Sequence, residues 1–97
     1  MNTITDEKLR KYFTITKEAF HVAQHSENRH KNFEAEKKDF LDMIERYIKD
    51  AEHFEKEGEK VNAFAALNYA HGWLDAGARL GLFDVHDSRL FTVDDKP

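Results

Sequence analysis

Apolar residues recur along this chain at intervals of three and four, the spacing of a helix with one buried face. In the first stretch the positions at this spacing are Leu9, Tyr12, Phe13, Thr16, Phe20 and Ala23. Thr5 stands ahead as an N-cap, and Asp6 and Glu7 occupy the first turn, where the helix dipole favours acids. The period fails over the polar segment 26–32. It resumes with Phe33, Phe40, Leu41, Ile44, Tyr47, Ile48, Ala51 and Phe54, while the opposite face carries Asp42/Arg46, Glu45/Lys49 and Glu52/Lys56. Acid-before-base pairs at that spacing each support a helix by about 0.2–0.5 kcal/mol. Gly58 reads as a C-terminal stop, and a third helix is predicted from Glu59 or Lys60 to about Gly81. The expected helices are therefore 5–27, 32–57 and 60–81, followed by a polar tail 84–97 whose Leu90, Phe91 and Val93 can strap back over the helices.

Three helices joined by short turns are antiparallel neighbours, so the expected fold is all-α: an up-down-up three-helix bundle with the short C-terminal tail packing back. The pattern shows no linker or internal repeat, and 1–97 reads as one domain. A chain of 97 residues, 40% hydrophobic and 35% charged, with one proline, four glycines and no cysteine, fits this and excludes disulfides, thiol catalysis and cysteine-ligated metals. The net charge of −4 argues against broad contact with nucleic acid or anionic membrane. With no apolar run near the ~20 residues of a membrane span and no signal-like start, the expected location is cytoplasmic.

The third helix stands apart. Plotted at about 100° per residue, it gathers Val61, Asn68, Gly72, Asp75 and Arg79 on one narrow stripe with His71 at its edge. Almost everything else is apolar. Phe64, Leu67, Leu74 and Ala78 lie on one flank, and Ala63, Ala66, Ala70, Trp73, Gly77 and Leu80 on the far side. Two neighbours cover only about half of a helix's circumference, so a further cover is expected, from the tail or from a second copy of the chain. Gly72 and Gly77, each costing about 1 kcal/mol relative to alanine inside a helix, call for a compensating gain. Close helix approach is one such gain, and a concavity at Gly72, where Asn68, Asp75 and Arg79 converge on a ligand or partner side chain, is another.

Several constellations bear on chemistry. His71, Asp75 and Arg79 are four apart, so each can touch the next: either a histidine oriented by an aspartate beside an anion-holding arginine, or a structural ladder of ion pairs. His21 and His25 form an H-x-x-x-H pair, with Glu18 or His30 nearby, that lacks the acid a zincin motif needs between its histidines, and reads as two exposed helical histidines. Arg46/His53 and Arg79/His86 repeat a spacing that resembles the arginine–histidine motif of a helical ribonuclease superfamily. Tyr69 and Trp73 can stack a base or anchor a contact.

The run Tyr69-Ala-His-Gly-Trp-Leu-Asp-Ala-Gly-Ala-Arg-Leu-Gly-Leu-Phe83, preceded by Asn62-Ala-Phe-Ala-Ala-Leu67 and followed by Leu90-Phe-Thr-Val-Asp94, resembles a small archaeal family catalogued as domain of unknown function 357. The resemblance implies a short helical bundle and no established activity. The expectation is thus a helical interaction module without cofactor or metal, forming a homo-oligomer and open to a protein partner, with Asn68, His71, Gly72, Asp75 and Arg79 as its binding surface. The alternative is an RNA- or nucleotide-directed protein, a nuclease using Arg79 with His71 or His86.

Overall fold

In the computed structural model, which describes residues 3–93, three helices account for the chain: α1 (Asp6–Gln24), α2 (Glu34–Lys56) and α3 (Lys60–Leu80). The Thr5 hydroxyl accepts a hydrogen bond from the Lys8 amide at 3.1 Å and so caps α1. Gly58 (φ 75°) and Gly81 (φ 84°) follow α2 and α3 in the left-handed conformation that glycine adopts without penalty. The helices form the expected three-helix bundle, and no strand occurs among the described residues. No helix among them is long and apolar enough to cross a membrane.

Two boundaries differ from the periodic reading. α1 stops at Gln24 rather than 27 because local side chains take its last carbonyls: the His25 ring Nδ1 lies 2.9 Å from His21 O, and Ser26 Oγ donates to Ala23 O at 2.7 Å. α2 is preceded by a single 3₁₀ turn over Lys31–Phe33, so regular helix begins at Glu34 rather than 32.

α2 and α3 make the most extensive helix contact, and α1 lies against both. Buried residues fall into two clusters. Near the α2–α3 turn, Leu9 and Phe13 of α1 meet Ala51, Ala63 and Leu67. Toward the other end, Ala23, Ile44, Ile48 and Leu74 are joined by Phe83, Leu90 and Phe91, so the segment after α3 does strap back and completes the core. Val93 packs at its margin, while the remainder of the tail, 94–97, lies outside the described residues. The α1–α2 connection is zipped to this segment: Arg29 N donates to Gly81 O at 2.9 Å, Asp84 N donates to Glu27 O at 2.8 Å, and the Arg29 guanidinium grips Asp84 at 2.7 Å.

Candidate functional site

The strap divides the polar stripe of α3. His71 is half-buried between α1 and the tail, its Nε2 donating to Leu90 O at 2.6 Å and its Nδ1 lying 3.5 Å from the Thr16 hydroxyl. The carbonyl can only accept, so Nε2 is the nitrogen that carries the proton of this hydrogen bond. Asp75 accepts two hydrogen bonds from Thr92, from the amide at 2.8 Å and from the hydroxyl at 3.0 Å. Both side chains therefore hold the strap over the core. No hydrogen bond or ion pair joins His71 to Asp75, or Asp75 to Arg79, among the described residues. His71 and Arg79, eight residues apart, are separated by about 12 Å along the helix axis.

What remains of the stripe faces outward. Asn68, Gly72 and Arg79 are exposed, and so are Ala65 and Ala76 beside them. Val61, Tyr69 and Leu80, with 68%, 63% and 57% of their surface free, extend this face along the helix. Asn62, Asn68 and Arg79 are the polar side chains on it. α3 is here a ridge between two open grooves, since Asn68 and Gly72 line both.

The groove on the α2 side, about 490 Å³, is apolar and is walled by Phe40, Tyr69, Trp73 and Ala76. Its rings are fixed by edge-to-face packing of Phe40 on Trp73 (centroids 4.8 Å apart) and stacking of Tyr47 on Tyr69 (5.3 Å). The groove on the α1 side, about 540 Å³, is mixed: Lys11, Tyr12, His71, Asp75 and the strap residues Arg89 to Thr92 line it. Neither groove is lined by Arg79. The α2 and α1 walls were not visible in the α3 sequence. The bare positions 61, 65, 68, 72, 76 and 79, three or four apart, carried a signal that becomes readable once the buried side of α3 is known.

The two glycines separate in the structure. A methyl group on Gly77 would overlap the ring of Phe83, which is fully buried, so close approach explains that glycine. At Gly72 nothing lies within 4 Å of where a Cβ would stand. No packing among the described residues accounts for it.

The strongest charge contacts lie at the rims. A two-pronged hydrogen bond from Arg89, at 2.6 and 3.2 Å, holds the Glu18 carboxyl below its ordinary range against the opposing effect of desolvation. The Arg29 contact likewise lowers Asp84, with His86 (2.9 Å) adding to it. His86 is thus drawn to Asp84, and it has no hydrogen bond or ion pair with Arg79 among the described residues. The His21 and His25 rings lie 4.4 Å apart, but no group of three metal-ligating side chains occurs among the described residues. By contrast Lys11, Glu36, Asp39, Asp50 and Arg79, all exposed, have no side-chain hydrogen bond or ion pair among the described residues.

A family model described as protein of unknown function (DUF357) matches residues 11–83, which span α2, α3 and most of α1. No curated protein and no solved structure matches.

Proposed function

Because the chain belongs to the family of proteins of unknown function DUF357, whose description names no activity, we propose its role from geometry: a helical interaction module that self-associates through the outward ridge of α3. The observation that supports this is the bare apolar ridge itself. A helix with water on one face normally shows it a broad polar arc. Here Val61, Ala65, Tyr69, Gly72, Ala76 and Leu80 are all exposed with only Asn62, Asn68 and Arg79 as polar side chains among them, while His71 and Asp75 are bound to the strap. Surfaces that are poor in charge and rich in aromatic residues are those that associate. Nothing found supports the RNA-directed alternative, which needs Arg79 and a histidine to share a cleft.

Multi-angle light scattering over a range of concentrations tests the reading. The wild-type chain is expected to associate, and Ala76→Arg, which places a charge at an exposed point on the ridge, is expected to remain a folded monomer. A strict monomer for the wild type at the highest concentration would overturn the proposal.

A further inference from the structure

We infer that the occupant of the ridge is a second copy of this chain whose α3 runs parallel to the first, an arrangement set by opposite charges on the two flanks; this rests on the self-association proposed above. At the level of Ala65 the flanks of the ridge differ in sign. On the α2 side stand Glu36, Asp39 and Asp50, and on the α1 side stands Lys11 with Glu7 one turn below it, all exposed and without side-chain partners among the described residues.

Their heights along α3 can be read from neighbouring ring contacts. Tyr47 stacks on Tyr69, so Asp50, three residues further along the antiparallel α2, lies near the level of Ala65 or Ala66. Tyr12 packs edge-to-face on Phe64 at 4.7 Å, so the adjacent Lys11 lies near that level as well. Lys11 and Asp50 therefore flank the ridge on opposite sides, within about one helical turn of each other in height.

Two isologous pairings are open to such a face. With the two α3 helices antiparallel, the two-fold axis crosses the ridge, each flank meets its own kind, and acid is set against acid. With the helices parallel, the axis runs along the ridge and each flank meets the other. Heights are preserved, so Lys11 of each copy comes opposite Asp50 of the other, twice per dimer. The same rotation carries the exposed ring of Tyr69 across to the groove on the α1 side of the second copy, where Gly72 leaves open space. Ala65, Gly72 and Ala76 then meet their own equivalents along the seam, where the lack of bulk lets the helices approach.

The chain has no cysteine, so single introduced cysteines report the register directly. Ala65→Cys, Gly72→Cys and Ala76→Cys are oxidised separately at a concentration where light scattering shows the dimer. In the parallel arrangement all three form a disulfide with themselves. In the antiparallel arrangement centred on Gly72, equivalent residues at position 76 are offset by about 12 Å along the axis, beyond the roughly 4.4–6.8 Å that a disulfide spans between Cα atoms.

Cross-linking at 72 alone, or at none of the three in a proven dimer, overturns the parallel arrangement while leaving self-association standing. A monomeric wild type overturns both. As a second readout, Lys11→Glu and Asp50→Lys are each expected to weaken dimerisation by about tenfold, from two lost attractions and two new repulsions of surface strength, and the double exchange to restore it. Failure of the double exchange to restore association also counts against the pairing.

Discussion

Replacing Gly72 and Gly77 by alanine, one at a time, separates the two roles that glycine has in α3. Each substitution removes the same intrinsic penalty, about 1 kcal/mol for glycine inside a helix. At position 72 the new methyl group meets nothing within 4 Å, so a dilute monomer should gain that amount. For a domain of this size this corresponds to a rise in Tm of about 4–8 °C. At position 77 the methyl group overlaps the Phe83 ring, which is locked in the core with Leu74, Leu90 and Phe91 and has no exposed surface through which to move. Overpacking of this kind costs about 1–3 kcal/mol, so Gly77→Ala should leave stability unchanged or lower it by up to about 2 kcal/mol after the helix gain. Urea unfolding followed by circular dichroism, at a concentration too low for association, measures both. Equal stabilisation by the two substitutions would refute the packing of Phe83 on Gly77. Destabilisation by Gly72→Ala in the monomer would refute the claim that nothing among the described residues needs that space. At high concentration the same Gly72→Ala variant should dissociate more readily than wild type, because its methyl group then stands in the seam.

Asp75→Ala should release the strap: two hydrogen bonds to a carboxylate are lost, a cost of up to about 3 kcal/mol each that Thr92, being exposed, recovers in part from water. Amide exchange at Thr92 should accelerate while exchange in the middle of α2 does not, and unchanged protection at Thr92 would sink the assignment. Acid should weaken the fold through Glu18 and Asp84. Both are held below their ordinary values of 4.5 and 3.8, so the folded state takes up protons later than the unfolded one as pH falls. Their contribution is complete above those values and is lost as the pH drops below them toward the folded-state values. Glu18→Gln should therefore flatten the loss of stability in urea melts between pH 5 and about pH 3, and an unaltered pH profile would contradict the Arg89 contact.

The helices were legible because each repeats a buried face and each end carries a local signal: Thr5 before α1, Gly58 after α2, Gly81 after α3. The return of the strap was legible from Leu90 and Phe91, two large apolar residues in an otherwise polar segment. What could not be read was the use of His71 and Asp75. Their partners are a backbone carbonyl 19 residues away and an amide 17 residues away, and every residue type offers a carbonyl while nearly every one offers an amide. Spacing on the helix suggested that the two side chains touch each other, whereas burial of Leu90 and Phe91 brings the strap close enough to engage them first. Gly72 and Gly77 looked alike for a similar reason. What distinguishes them is the position of Phe83, which is set by the turn at Gly81 and not by anything within α3.

This division of the stripe bears on the choice between chemistry and association. A catalytic histidine needs a free ring nitrogen facing an open cleft, with its auxiliary groups within hydrogen-bond reach. His71 has its Nε2 on a carbonyl and its Nδ1 toward a buried threonine, and its aspartate neighbour is turned to the strap. Arg79, the remaining candidate, stands exposed about 12 Å along the axis from that histidine. The polar members of the stripe thus fall into a pair engaged in holding the fold and a pair, Asn68 and Arg79, left on a largely apolar ridge. These two, with Asn62 at its start, are too few polar side chains to keep α3 solvated along its length. They suffice to fix orientation within a contact, which is the use of polar groups that a self-associating surface requires.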